Sequence, residues 1–101
     1  MKTYDSKPYE LKFFRSALKE WEHLDATVRE QFRKKLAERL RAPHVESARL
    51  AGLPDCYKIK LVASGYRLVY RVIEGELVVL VIAVGRREAR EAYRKAHTRL
   101  R

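Results

Sequence analysis

The unbroken apolar run Leu77-Val78-Val79-Leu80-Val81-Ile82-Ala83-Val84 constrains the fold of this chain more than any other stretch. It shows no alternation with polar residues and is rich in β-branched side chains, which suit a pleated backbone. It has the length of a strand and falls far short of the roughly 20 residues a membrane-crossing helix needs. A strand that is apolar on both sides must be covered on both sides. The run therefore predicts a buried strand, entered from a turn at Glu74-Gly75-Glu76 and ended by Gly85.

Upstream lies a different pattern. Cys56-Tyr57-Lys58-Ile59-Lys60-Leu61 is followed by a turn at Ala63-Ser64-Gly65 and then by Tyr66-Arg67-Leu68-Val69-Tyr70-Arg71-Val72. Strand side chains alternate between the faces of a sheet. Tyr57, Ile59 and Leu61 share one face of the first strand, and Tyr66, Leu68, Tyr70 and Val72 one face of the second. With those faces in the core, Lys58, Lys60, Arg67 and Arg71 meet on the other. A sheet face that is cationic and largely without acids is a place for phosphate.

The remaining elements follow from periodicity. Residues 1–8 are polar, end in Pro8 and read as a loose leader. Tyr9, Leu11 and Phe13 alternate with Glu10 and Lys12, predicting a short first strand. Ala17, Leu18, Trp21 and Leu24 fall at helical spacing. Thr27 and Glu30 have the form of a capping box, which places the start of the next helix there. That helix carries Val28, Phe32, Leu36 and Leu40 as one core-facing stripe and ends before Pro43. The segment from Arg87 to Leu100 can form a helix, but its apolar side is thin: Ala89, Ala92, Ala96 and Leu100. Alanine methyls anchor a helix weakly, so this one is expected to be mobile or displaceable. The order strand, helix, helix, strand, strand, strand, helix predicts an α+β fold. In it a small, mainly antiparallel sheet carries an N-terminal helical hairpin and a C-terminal helix. At 101 residues the chain is expected to be a single domain.

Charge narrows the function. Lys plus Arg number 23 against 13 Asp plus Glu, a formal charge of +10. Such an excess favours a polyanionic partner, nucleic acid above all. Cys56 is the sole cysteine, so an intrachain disulfide is excluded and a cytoplasmic setting is expected; its thiol reads as inert. No membrane span or secretory h-region is visible. One Cys and three scattered His (His23, His44, His97) offer no zinc pattern. Gly85-Arg86-Arg87 lacks the glycines of a phosphate loop. No metal or cofactor is expected.

What remains is metal-free chemistry on a phosphodiester. In RNA the 2′-hydroxyl can attack its own phosphate. The protein must then help remove that proton, neutralise the phosphorane and protonate the leaving 5′-oxygen. Fixed cations act where the negative charge grows, and lysine is the cation most able to become a base. Arg87 follows the apolar strand directly, at the sheet edge beside the hairpin. Tyr93, six residues on, either packs the tail onto the domain or returns over the same face to stack on a base.

The sequence resembles the RelE toxins of bacterial toxin–antitoxin systems. The matching stretches, in order, are Leu18-Lys19-Glu20-Trp21, Thr27-Val28-Arg29-Glu30-Gln31, Leu53-Pro54-Asp55-Cys56-Tyr57-Lys58-Ile59-Lys60-Leu61, Ser64-Gly65-Tyr66-Arg67-Leu68-Val69-Tyr70 and Val84-Gly85-Arg86-Arg87-Glu88. The resemblance implies a ribosome-dependent mRNA interferase that cuts the codon in the ribosomal A site and leaves a 2′,3′-cyclic phosphate. It puts the catalytic set on Lys58, Lys60, Arg67, Arg87 and Tyr93. Lys60 is the implied base, Lys58 and Arg67 the phosphate ligands, Arg87 the stabiliser of the leaving oxygen and candidate donor of its proton, and Tyr93 the group that positions or stacks on the nucleotide. It also implies a RelB-type antitoxin, the 70S ribosome with mRNA and ribosomal RNA as partners, and operator DNA bound through the antitoxin. Residues 1–8 have no obvious counterpart, Ala51 stands where some relatives are basic, and Arg86 keeps the charge of a usual lysine. Two other readings stay open: a ParE-like toxin that poisons DNA gyrase, and a ribosome- or RNA-binding module that performs no chemistry.

Overall fold

The structure is a computed structural model and describes residues 8–86 and 90–100. Strand β1 (Glu10–Phe13) leads through Phe14 into helix α1 (Arg15–Glu22), then helix α2 (Ala26–Arg41). After a short 3-10 turn at Glu46–Ala48 come β2 (Cys56–Lys60), β3 (Tyr66–Ile73), β4 (Val78–Arg86) and helix α3 (Glu91–Leu100). The four strands form one sheet in the order β1-β4-β3-β2. β4 pairs antiparallel with β3 and β3 with β2, whereas β1 pairs parallel with β4. The expected α+β architecture is the one observed.

The run from Leu77 is covered as its composition requires. Val79, Val81 and Val84 face a core built with Ala17 and Trp21 of α1 and Val28, Phe32 and Leu36 of α2. Ile82 and Ala83 face a second cluster with Ala92 and Ala96 of α3. The switch of face is made by an irregularity. Val69 pairs with Ala83, but its neighbour Tyr70 pairs with Val81, so Ile82 is an extra residue on β4. Such a bulge lets two successive side chains point the same way. Gly85 does not end this strand. β4 continues through it to Arg86, with Gly85 opposite Arg67.

The hairpin packs as its alternation predicts. Tyr57, Ile59, Leu61, Leu68, Tyr70 and Val72 all lie in the α1–α2 core, with Tyr66 partly buried against it. Tyr57 and Tyr70 are cross-strand partners whose rings stack at 5.6 Å. The buried Tyr70 hydroxyl donates to the Pro43 carbonyl (2.7 Å) and accepts from Arg39 of α2 (2.8 Å). Arg39 also donates to the Lys58 carbonyl on β2 (3.1 Å), which ties α2 to the edge of the sheet.

One local expectation is corrected. Helix α2 is capped by Asp25, whose side chain accepts from the Val28 amide at 3.1 Å, and Thr27 lies inside the first turn. Asp and Thr are both good caps. The extended backbone of Asp25 places the cap two residues before Thr27, and Leu24 ahead of it is buried in the core. Among the described residues no helix is long and apolar enough to cross a membrane.

Candidate active site

Lys58, Lys60, Arg67 and Arg71 project from the sheet face opposite the α1–α2 core, as alternation demands, but they do not form one open cationic surface. The register pairs Cys56 with Arg71, Lys58 with Val69 and Lys60 with Arg67. Cys56 and Val69 are fully buried beneath α3 and divide the face. Arg71 is left at the far end, where it lines a hollow with Gly52, Pro54, His97 and Leu100. Lys58, Lys60 and Arg67 gather at the other end. A directly opposed pair such as Lys60 and Arg67 places its Cβ atoms about 5 Å apart. Lys58 is the next residue along the same face of β2, half-buried where Lys60 is exposed.

Tyr93 completes the cluster. α3 lies across β4 and β3, and the Arg67 guanidinium donates to the Tyr93 hydroxyl at 2.6 Å. Its carbon sits 5.4 Å from the centre of the ring. Both placements left open by the sequence are met: Tyr93 packs, partly buried, against the cluster beneath α3, and its hydroxyl reaches Arg67 on the hairpin face. Arg67 presents five N–H donors in a planar fork, so the bond to Tyr93 leaves donors for an anion. Arg87 lies outside the described residues; it directly follows Arg86, the last residue of β4. Beyond Lys60 a groove of about 490 Å³ runs between α2 and the hairpin turn, lined by Gln31, Lys34, Lys35, Glu38 and Val62 among others.

The site depends on how α3 meets the sheet. A side chain at Gly85 would bring its Cβ to 2.5 Å from the Glu91 Cβ and 2.9 Å from the Ala92 amide nitrogen. Only glycine admits the start of α3 this close to the strand that pairs with Arg67. The Glu91 carboxylate accepts from the Arg86 amide (3.0 Å). At the far end Glu20 of α1 accepts from both terminal nitrogens of Arg99 (3.0 and 2.7 Å), and Lys95 lies 2.9 Å from it. Burial opposes the charge on Glu20. The hydrogen bonds from Arg99, the Val84 amide and Lys95 more than offset it, and its pKa lies below the ordinary carboxylate value. The expectation of a weakly anchored tail captured the apolar contacts and missed these polar ones. Glu20 and Arg99 are 79 residues apart and carry no local signal of pairing. Gly85, a glycine inside a strand, could have been read as a mark of close backbone approach.

Other candidates sort simply. Cys56 is buried and its thiol is pushed up to about 11, chiefly by burial. His23 and His97 are exposed, and His44 bridges the Tyr57 hydroxyl (3.0 Å) and Glu74 (2.8 Å) at the surface. Among the described residues no group of three or more His, Cys, Asp or Glu is arranged to hold a metal ion.

This fold, with a cationic hairpin end closed by a tyrosine from the last helix, matches the toxin class of type II toxin–antitoxin systems. A family model described as the ParE toxin of the type II toxin–antitoxin system parDE matches residues 11–91. The chain is 56% identical over 92 residues to the mRNA interferase toxin RelE of Escherichia coli K12, covering 91% of this chain and 97% of the relative. The free-state structure of a doubly substituted E. coli RelE superposes with a TM-score of 0.86 at 55% identity, covering 94% of this chain and all of that one. The intact E. coli RelBE toxin–antitoxin complex contains a chain that matches with a TM-score of 0.76 at 59% identity, over 77% of this chain and 95% of that one. The chain belongs to the RelE family of type II toxins.

Proposed function

We propose that this toxin is a ribosome-dependent mRNA interferase that cuts the codon in the A site without a metal ion. The observation that carries the reading is the gathering of Lys58, Lys60, Arg67 and Tyr93 at one end of the sheet, with the Arg67–Tyr93 bond of 2.6 Å at its centre. The 56% identical RelE of E. coli bears the name mRNA interferase, which supports the same substrate class.

In this mechanism Lys60 takes the proton of the 2′-hydroxyl as its oxygen bonds to the adjacent phosphorus. Lys58 and Arg67 bind the non-bridging oxygens, where charge builds in the phosphorane. The bond from phosphorus to the 5′-oxygen then breaks, Arg87 stabilises that oxygen and gives it a proton that solvent later restores, and a 2′,3′-cyclic phosphate remains. Tyr93 orients Arg67 and stacks on the nucleotide. Lys34 and Lys35, along the groove beyond Lys60, extend the positive surface for the backbone of mRNA or ribosomal RNA.

A RelB-type antitoxin neutralises the toxin in the cytoplasm, and the pair represses its own operon by binding operator DNA through the antitoxin. The known E. coli RelBE complex supports this partner. Purified toxin added to translating ribosomes is expected to yield primer-extension stops within A-site codons; a folded toxin that leaves the mRNA intact would refute the reading. The ParE name of the matching family model favours one second reading, gyrase inhibition. A DNA-supercoiling assay separates the two, and no inhibition is expected.

A further inference from the structure

Helix α3 presents two small fully buried side chains to the sheet, Ala92 and Ala96. Two methyl groups remove little apolar area from water. Tyr93 and Leu100 add partly buried packing against the same cluster, and one carboxylate of α1 holds the helix by polar bonds. Glu20 accepts from Arg99 through both of its oxygens, from Lys95 and, at 3.0 Å, from the Val84 amide at the end of β4. Arg99 and Lys95 donate onward to the Ile82 carbonyl (2.8 Å) and the Val84 carbonyl (3.3 Å). Glu20 and Arg99 side chains are each only 19% exposed, so water and salt screen the pair less than they would at the surface. Lys95 and Arg99, four residues apart, share one side of α3. Tyr93 precedes Lys95 by two positions, about 200° around the helix. The latch and the active-site tyrosine thus grip opposite flanks of the same element.

We propose that Glu20 is a positioning residue for the cleavage reaction: by holding Lys95 and Arg99 from α1, it fixes the seat of α3 and with it the placement of Tyr93 on Arg67. The catalytic part of this inference rests on the interferase reading; the seating of α3 does not. Glu20→Gln keeps the shape of the side chain and removes its charge. Losing charge-assisted bonds of this kind is expected to speed amide exchange in α3 about tenfold or more. Exchange in β3 and in the rest of β4, apart from the Val84 amide that Glu20 itself accepts, stays unchanged, and the Arg67 side-chain N–H resonance shifts as the Tyr93 ring moves.

A-site cleavage falls in Glu20→Gln. In a Tyr93→Ala background the same substitution lowers the residual rate no further, because the group it positions is already gone. Faster exchange throughout the sheet, or a further loss of cleavage in the Tyr93→Ala background, would mean a merely structural role and overturn the proposal. Unchanged α3 exchange with an unmoved Arg67 resonance would overturn it equally. If the parent toxin cuts no mRNA, the interferase reading fails, and the exchange and resonance measurements still decide whether Glu20 seats the helix.

Discussion

Replacing Gly85 with alanine puts one methyl group between the strand that pairs with Arg67 and the helix that carries Tyr93. The new Cβ would stand 2.5 Å from the Glu91 Cβ, 2.9 Å from the Ala92 nitrogen and 3.0 Å from a Glu91 carboxylate oxygen. Carbon atoms rest at about 3.5–4.0 Å, so the first contact is short by roughly 1 Å. The carboxylate can swing away, at the expense of its bond to the Arg86 amide. The Glu91 Cβ and Ala92 nitrogen cannot, because they move only with α3. Overpacking of this kind costs about 1–3 kcal/mol. An opposing effect exists, since alanine has fewer unfolded conformations than glycine and gains about 0.4–1 kcal/mol. The clash is larger, and a net loss of about 1–2 kcal/mol is expected. The loss has a ceiling: it cannot exceed the free energy of docking α3, because the helix can leave the sheet instead. Urea unfolding should show a lower midpoint with an unchanged slope. Displacing a positioning group by about 1 Å can cost on the order of 100-fold in rate, so A-site cleavage should fall at least about tenfold. A Gly85→Ala toxin as stable as the parent and equally active would refute the claim that the close approach of α3 seats Tyr93.

Three further outcomes follow from the same geometry. Arg67→Ala removes the proposed donor to the phosphorane and should lower single-turnover cleavage by roughly 100- to 1,000-fold with little change in melting temperature, since its side chain bonds to Tyr93 at the edge of the fold; normal cutting would contradict its role. Tyr70→Phe strips the Pro43 carbonyl of its donor and Arg39 of an acceptor, so a loss of about 1–3 kcal/mol is expected, read as a fall of roughly 5 °C or more in thermal melting; unaltered melting would contradict it. Glu20 has a folded pKa below its ordinary value, so its contribution is full above the ordinary carboxylate range and is lost as pH falls through the folded pKa. Amide exchange in α3, corrected for its intrinsic pH dependence, should therefore rise below about pH 4 in the parent toxin, and the rise should be absent from Glu20→Gln.

The sequence made the local elements legible because their signals are local. Alternation assigned the hairpin residues to the correct faces, and the uninterrupted run from Leu77 required cover on both sides, which α1, α2 and α3 supply. Interactions between distant residues were not legible. Nothing in the chain joins Glu20 to Arg99 or Arg39 to the Lys58 carbonyl before the fold does. The bulge at Ile82 could not be read from a run that is apolar at every position. The cationic face was only partly readable: alternation placed Arg71 with the others, but the register and the buried Cys56 and Val69 set it apart. The capping-box form put the start of α2 at Thr27, whereas the extended backbone at Asp25 makes that earlier residue the cap.

In the proposed reaction several cations and one tyrosine act on a single scissile phosphate by way of the neighbouring 2′-hydroxyl. The most direct test is an mRNA carrying one 2′-deoxynucleotide immediately 5′ of the cut bond, programmed into the A site of otherwise unmodified ribosomes and treated with the toxin. Cleavage should vanish at that bond while the all-RNA control is cut and ends in a cyclic phosphate. Undiminished cutting at the deoxy position would show that another nucleophile attacks and that the roles given to Lys58, Lys60 and Arg67 are wrong.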